Sequence, residues 1–205
     1  MRKPILLAVA VLWLLGQPAL AQGSADGAPT RVVGTVEKLD GDSLTVAGKD
    51  SGKQTVMLSA DAKVYGVEKR RFADVKAGDF VASGGVRGTD GKIHAVELRI
   101  FPESLRGVGE GQRPWAARPE NGVMTNATVG TVSQTGNAGI VRVKYQGGES
   151  EFEVGPDVPV LAYVSADRGL LKPGAAVLTI ASKKPDGSLV ANRVTAEKDG
   201  VKPPM

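Results

Sequence analysis

Val33-Gly34-Thr35-Val36 recurs 96 residues downstream as Val129-Gly130-Thr131-Val132. At the same offset Asp61 falls on Asp157, Val64 on Val160, Lys76-Ala77-Gly78 on Lys172-Pro173-Gly174, Val81 on Val177, Asp90-Gly91 on Asp186-Gly187, and Ala95 on Ala191. An offset that holds over more than sixty positions marks one supersecondary unit used twice. Each copy reads as strands. In the first, Arg31 to Leu39, Ser43 to Ala47, Gln54 to Ser59, Asp79 to Arg87 and Lys92 to Ile100 are β-rich, with turns at Asp40-Gly41-Asp42, Asp50-Ser51-Gly52 and Thr89-Asp90-Gly91. Only Phe72 to Val75 and Arg168 to Leu171, each ahead of a Gly, read as a single helical turn.

Three strands, a short helical connection and two more strands is the order of a small OB-like barrel, with a β-sandwich as the competing architecture. In the last strand Ile93 and Ala95 share one face, while Val96, Leu98 and Ile100 share the other. A bulge where a barrel turns a corner does this, and Gly84-Gly85 in the preceding strand fits the same bend. The expectation is an all-β chain of two tandem OB-like barrels, an internal duplication, over 30–100 and a diverged 128–200. A tail covers 201–205.

Between the copies, 101–127 is a Pro/Gly-rich arm carrying Trp115, with Arg106, Arg113 and Arg118 balancing Glu103, Glu110 and Glu120. Burying an indole contributes roughly 2–3 kcal/mol, so the arm is expected to dock, with Trp115 pinning the barrels together. Gly107-Val108-Gly109-Glu110-Gly111 opens no helical period, so it is arm and not a phosphate loop.

Residues 1–21 have the layout of a secretory signal peptide: Arg2 and Lys3, an apolar run from Ile5 to Leu15, then Ala19-Leu20-Ala21. Cleavage is expected before Gln22. No Cys follows, so the protein is not a lipoprotein, and no later stretch approaches the ~20 apolar residues of a membrane span. The expected location is the periplasm, with no membrane insertion after cleavage.

Composition excludes several function classes. With no Cys among 205 residues, disulfides, thiolate metal sites and cysteine nucleophiles are absent, and one His rules out any two-imidazole site. Removal of Arg2 and Lys3 leaves 24 basic and 22 acidic residues, and the only basic run is Lys69-Arg70-Arg71, which does not make a nucleic-acid binder. His94 is matched by Val190 in the second copy, which favours a strand-face position over a metal ligand. Asp40-Gly41-Asp42 lacks the further ligands of a calcium loop. No Gly-x-Ser-x-Gly elbow is present. No catalytic residue, metal or cofactor is expected.

Val33 to Val36, the turn Val75-Lys76-Ala77-Gly78-Asp79-Phe80-Val81, Asp90-Gly91-Lys92-Ile93-His94-Ala95 and Phe101-Pro102-Glu103-Ser104-Leu105-Arg106-Gly107 together resemble exported bacterial proteins of the domain-of-unknown-function 5666 family. The resemblance implies a periplasmic OB-type β module without an established activity, and it transfers no catalytic residue. The expected role is a non-enzymatic binding or interaction module for an unknown envelope protein or small ligand. Its expected binding surface is Tyr65, Lys69, Arg70, Arg71 and Phe72, where aromatic and cationic groups adjoin the arm. The second copy places Leu161, Ser165, Ala166, Asp167 and Arg168 there, so the two copies do not share that chemistry. The alternatives are a low-affinity metal or small-ligand carrier of the envelope and a carboxylate-based hydrolase.

Overall fold

A computed structural model of the chain describes residues 29–49, 51–116, 118 and 120–204, so the expected signal peptide lies outside the described residues. The strands are β1 (Pro29–Asp40), β2 (Ser43–Gly48), β3 (Gly52–Arg70), β4 (Phe80–Arg87), β5 (Ile93–Phe101), β6 (Gly111–Pro114), β7 (Gly122–Thr135), β8 (Ala138–Tyr145), β9 (Gly148–Val154), β10 (Val160–Ala166), β11 (Ala176–Lys183) and β12 (Leu189–Ala196). The fold is therefore all-β. The two expected helical turns are short 3₁₀ segments at Phe72–Asp74 and Arg168–Leu170, and a third occurs in the arm at Glu103–Leu105. Among the described residues no helix is long and apolar enough to cross a membrane.

The strands close into two five-strand barrels. Ring one runs β1-β2-β3-β12-β11 and returns to β1. Ring two runs β7-β8-β9-β5-β4 and returns to β7. In each, the third strand pairs in parallel with the last strand of a hairpin, and every other pairing is antiparallel. Side-chain alternation fills the interiors. Val32, Val36, Leu44, Val46, Val56 and Val194 pack inside ring one; Val81, Leu98, Val129, Val141, Val143 and Phe152 fill ring two.

This pairing differs from one barrel in each half of the chain. Ring one takes three strands from the first half and the β11–β12 hairpin from the second; ring two takes β7 to β9 and the β4–β5 hairpin of the first half. Turn residues fix each hairpin but not the ring it enters, because both rings offer the same edges. The connection decides. β3 runs on through Val64 to Arg70, where it pairs antiparallel with β10, and this carries the chain out of ring one before β4 begins. Val67 lies opposite Tyr163, its own counterpart at an offset of 96, so the halves cross at equivalent positions. The arm links β5 to β7 within ring two, and its Ser104 and Leu105 also meet Tyr65 of β3.

The repeated tetrapeptide is also displaced. Val36 donates its N–H to the Ala175 carbonyl at 2.9 Å and accepts from Gly174 at 2.9 Å. Val129 does the same with Asp79 and Gly78, each at 2.8 Å. Val36 thus corresponds to Val129, an offset of 93, whereas Val56 and Phe152 meet equivalent partners, Leu189 and Ile93, at the offset of 96. The two Val-Gly-Thr-Val segments therefore do different work. A Cβ on Gly34 would lie 2.1 Å from the Ala47 carbonyl oxygen, whereas on Gly130, at the bulge between Val129 and Thr131, the nearest atom is 3.5 Å away. The expected bend at Gly84-Gly85 is present as a register shift that leaves Val96 unmatched, which lets Ala95 and Leu98 both face the core.

Gly34→Ala is therefore expected to cost at least the roughly 1–3 kcal/mol of an overpacked site, because the obstruction is backbone, while Gly130→Ala changes stability little. Urea unfolding of the two variants checks this, and equal effects would contradict the register.

Candidate functional site

The five residues expected to form a binding surface do not share one. β3 between Val64 and Val67 is buried on both faces, which places Tyr65 at 3% exposure among Val67, Leu105, Leu161 and Tyr163, with its hydroxyl 3.2 Å from Ser104 Oγ. Phe72 is 4% exposed in the core of ring two, against Gly139. Lys69 remains exposed, Arg70 pairs with Glu68 at 2.7 Å, and Arg71 donates its amide to Asp74 at 2.9 Å. The aromatic groups went to packing and left the cations on a strand end.

His94 stands where ring two closes in parallel, opposite Glu153. Its Nε2 lies 3.1 Å from Asp90, its Nδ1 lies 3.5 Å from Glu153, and Glu153 also pairs with Lys92. The Lys92 backbone N–H, and then the His94 ring, hold the Asp90 carboxyl below the usual carboxylate range, while Glu153 raises Lys92. Each ring nitrogen faces a different carboxylate, so the cluster is an ionic clasp across the seam. Among the described residues no three His, Asp or Glu side chains, these included, are placed to hold one metal ion. A cavity of about 400 Å³ beside the clasp is lined by Thr135, Ile140 and Val158.

The arm shapes a second region. β6 pairs with β7 along one edge, so the arm lies against ring two. Trp115 is half-buried on Gly84, whose lack of a side chain admits the indole; a Cβ there would stand 2.8 Å from the ring. The contact places it on ring two. Of the expected arm ion pairs, Glu103–Arg106 forms at 2.6 Å, and Arg106 also donates to the Gly78 carbonyl at 2.9 Å. Beside β6 a cavity of about 550 Å³ is lined by Arg87, Gln112, Arg113, Glu120 and Asn121. A neighbouring cavity of about 370 Å³ shares Arg87 and Gln112 and adds Lys92, Glu149, Ser150 and Glu151. Together they form a polar groove of mixed charge, crossed by a hydrogen bond from Gln112 Nε2 to Ser150 Oγ at 3.0 Å.

A third feature is the ion pair Arg99–Glu97 on the outer face of β5, at 2.6 Å, with side chains only 13% and 12% exposed. Arg99 Nη1 donates to the Tyr163 hydroxyl at 3.5 Å, and Nη2 lies 3.6 Å from Met124 Sδ. Burial opposes the Arg99 charge, but Tyr163 and Glu97 outweigh it and raise the guanidinium pKa overall. The sequence holds one signal for this pair, two charges flanking Leu98 on an otherwise apolar strand, and that signal reads equally as a solvated face.

No family model matches the chain, and neither a curated protein nor a solved structure does.

A depressed carboxyl pKa contributes stability above the unfolded value and loses it as pH falls through the folded one. Asp90→Asn should therefore lower the unfolding temperature in the neutral range and flatten part of its acid-side fall, so that variant and parent converge at low pH. An unaltered acid limb would show that the clasp is not formed in solution. Glu97→Ala should cost about 3–5 kcal/mol by stranding the buried Arg99, measured by urea unfolding.

Proposed function

We propose that the chain is an exported, periplasmic, non-enzymatic binding or interaction module of the domain-of-unknown-function 5666 family, built from a duplicated OB-like unit. In each ring the first strand is flanked by the second and fourth, and the third is parallel to the fifth, which is the OB order with the final hairpin exchanged. The correspondence of hydrogen bonds at Val36 and Val129 supports the duplication. The arrangement of residues 1–21 supports export.

The observation that carries the binding reading is the groove beside β6. Among the described residues β6 pairs only with β7, so its other edge is open to an extended partner segment. Such a segment would gain backbone hydrogen bonds from β6 and side-chain contacts of both signs, from Arg87 and Arg113 on one side and Glu149 and Glu151 on the other. The proposed occupant is an extended segment of an envelope protein.

The test places a photo-crosslinking residue at Gln112 or, as control, at Ile180, an exposed position on ring one. Expression of the full chain should yield a mature N-terminus at Gln22 and specific adducts from Gln112 only. An uncleaved N-terminus would contradict export, and equal or absent adducts at the two positions would contradict the groove.

A further inference from the structure

A residue that opens a 3₁₀ segment packs beside the first hairpin of each ring, and the two residues differ. Phe72 and Arg168 are counterparts at the offset of 96 and open the segments Phe72–Asp74 and Arg168–Leu170. In ring one Arg168 Nη1 donates to Asp42 Oδ1 at 2.5 Å and to the Gly41 carbonyl at 3.4 Å, and Nη2 donates to the Ser59 carbonyl at 3.4 Å. Its guanidinium thus ties the turn between β1 and β2 to β3. In ring two Phe72 offers no donor and packs against Gly139.

The residues that Arg168 holds have counterparts around the cavity of about 400 Å³ beside His94. The Asp42 carbonyl accepts from the Leu58 N–H at 2.8 Å, and Gly139 is paired with Val154, 96 residues beyond Leu58, so Gly139 stands in the place of Asp42. Gly155 follows Val154 as Ser59 follows Leu58. Gly139, Val154 and Gly155 all line the cavity. Two further walls are the places where the second half of the chain departs from the first. Thr135 and Ala138 belong to the longer hairpin of β7 and β8, and the turn from Gly155 to Val158 interrupts the strand where β3 runs on. Ring two thus has a cavity where ring one has a guanidinium.

The lining suits a cation on an apolar stem. Ala95, Ala138, Ile140, Val154 and Val158 supply apolar surface, and about 400 Å³ falls within the roughly 300–1,000 Å³ of small-ligand pockets. Glu153 supplies the carboxylate that ring one places at Asp42; its own counterpart there is Met57. Glu153 Oε1 pairs with Lys92, whereas Oε2 has the longer contact to His94 Nδ1 at 3.5 Å and keeps room for a stronger donor. With Asp90 on the far side of His94, two carboxylates face one ammonium at the mouth, a balance that favours a positive ligand over an anion.

We infer that this cavity binds a guanidinium group carried on a short aliphatic stem, the guanidinium donating to Glu153 and the stem lying on Ile140 and Val158. A charge-assisted hydrogen bond to the carboxylate fixes the head, and burial of the methylenes holds the stem. The same chemistry comes from a free alkylguanidine or from an arginine side chain presented by a partner. The cavity shares only Glu153 with the groove beside β6, so it does not depend on what that groove holds.

His94 is the single His of the chain and lines the cavity, so the NMR signals of its ring report occupancy. The untagged exported protein is titrated at constant ionic strength with butylguanidinium, with an Arg-containing tripeptide blocked at both ends, and with pentanoate. Butylguanidinium should shift the His94 signals saturably, and pentanoate should not. A matching shift with the peptide assigns the group to a partner's side chain, and its absence assigns it to a free small molecule. Glu153→Gln should weaken the apparent affinity about tenfold or more by removing the charged acceptor. Gly155→Leu should abolish the shift by filling the cavity at little cost to the unfolding temperature, because a Cβ there meets nothing nearer than Val158 at 3.8 Å. No saturable shift with butylguanidinium, an equal one with pentanoate, or full affinity in either variant would overturn the inference.

Discussion

The antiparallel pairing of β3 with β10 governs the rest of the molecule. Val67 meets Tyr163 at the centre, and on either side the strands belong at once to the crossing and to a ring: β3 pairs with β12 on its other edge, β10 with β5. A strand held between two neighbours has both rows of backbone groups satisfied, so it cannot bend back to its own ring. The hairpin that follows must then close the opposite ring. Each barrel core is in this way assembled from both halves of the chain, and neither half contains a complete one.

Much of this was readable in the residues, but not all. Turn signals at Gly41 and Gly91, alternation in Leu44-Thr45-Val46, the bulge predicted from Ile93 to Ile100 and the 3₁₀ turns at Phe72 and Arg168 are local, and local chemistry fixes them. The exchange of hairpins was not legible, because the same edges and registers satisfy either closure. The expected strand Gln54 to Ser59 stops short of Ala60 to Lys63, yet β3 passes through them; the second half of the chain breaks at the matching positions, at Pro156 and Pro159. Identity misled at Val33 to Val36, because the hairpin of the second half is four residues longer between Val129 and Val143 than that between Val36 and Val46.

The expected site failed for a related reason. Tyr65 and Phe72 adjoin cations in sequence, but β3 is covered on both faces where it crosses, so the aromatic groups are inside and the cations are not. The ion pair of Arg99 with Glu97 is a buried one, and that burial was not legible from the chain alone. Their burial follows from the arm and from Tyr163 laid over β5.

Hairpin exchange has a direct test, helped by the absence of any Cys in the chain. Val33 on β1 lies opposite Leu178 on β11, whereas a tandem arrangement would bring Val33 to Ala82, the position 96 residues before Leu178. Cross-strand cysteines at facing positions are close enough to oxidise. Val33→Cys/Leu178→Cys should form an intramolecular disulfide under mild oxidation, read by mass spectrometry of the monomer, and Val33→Cys/Ala82→Cys should not. The opposite result would mean that each half closes its own barrel.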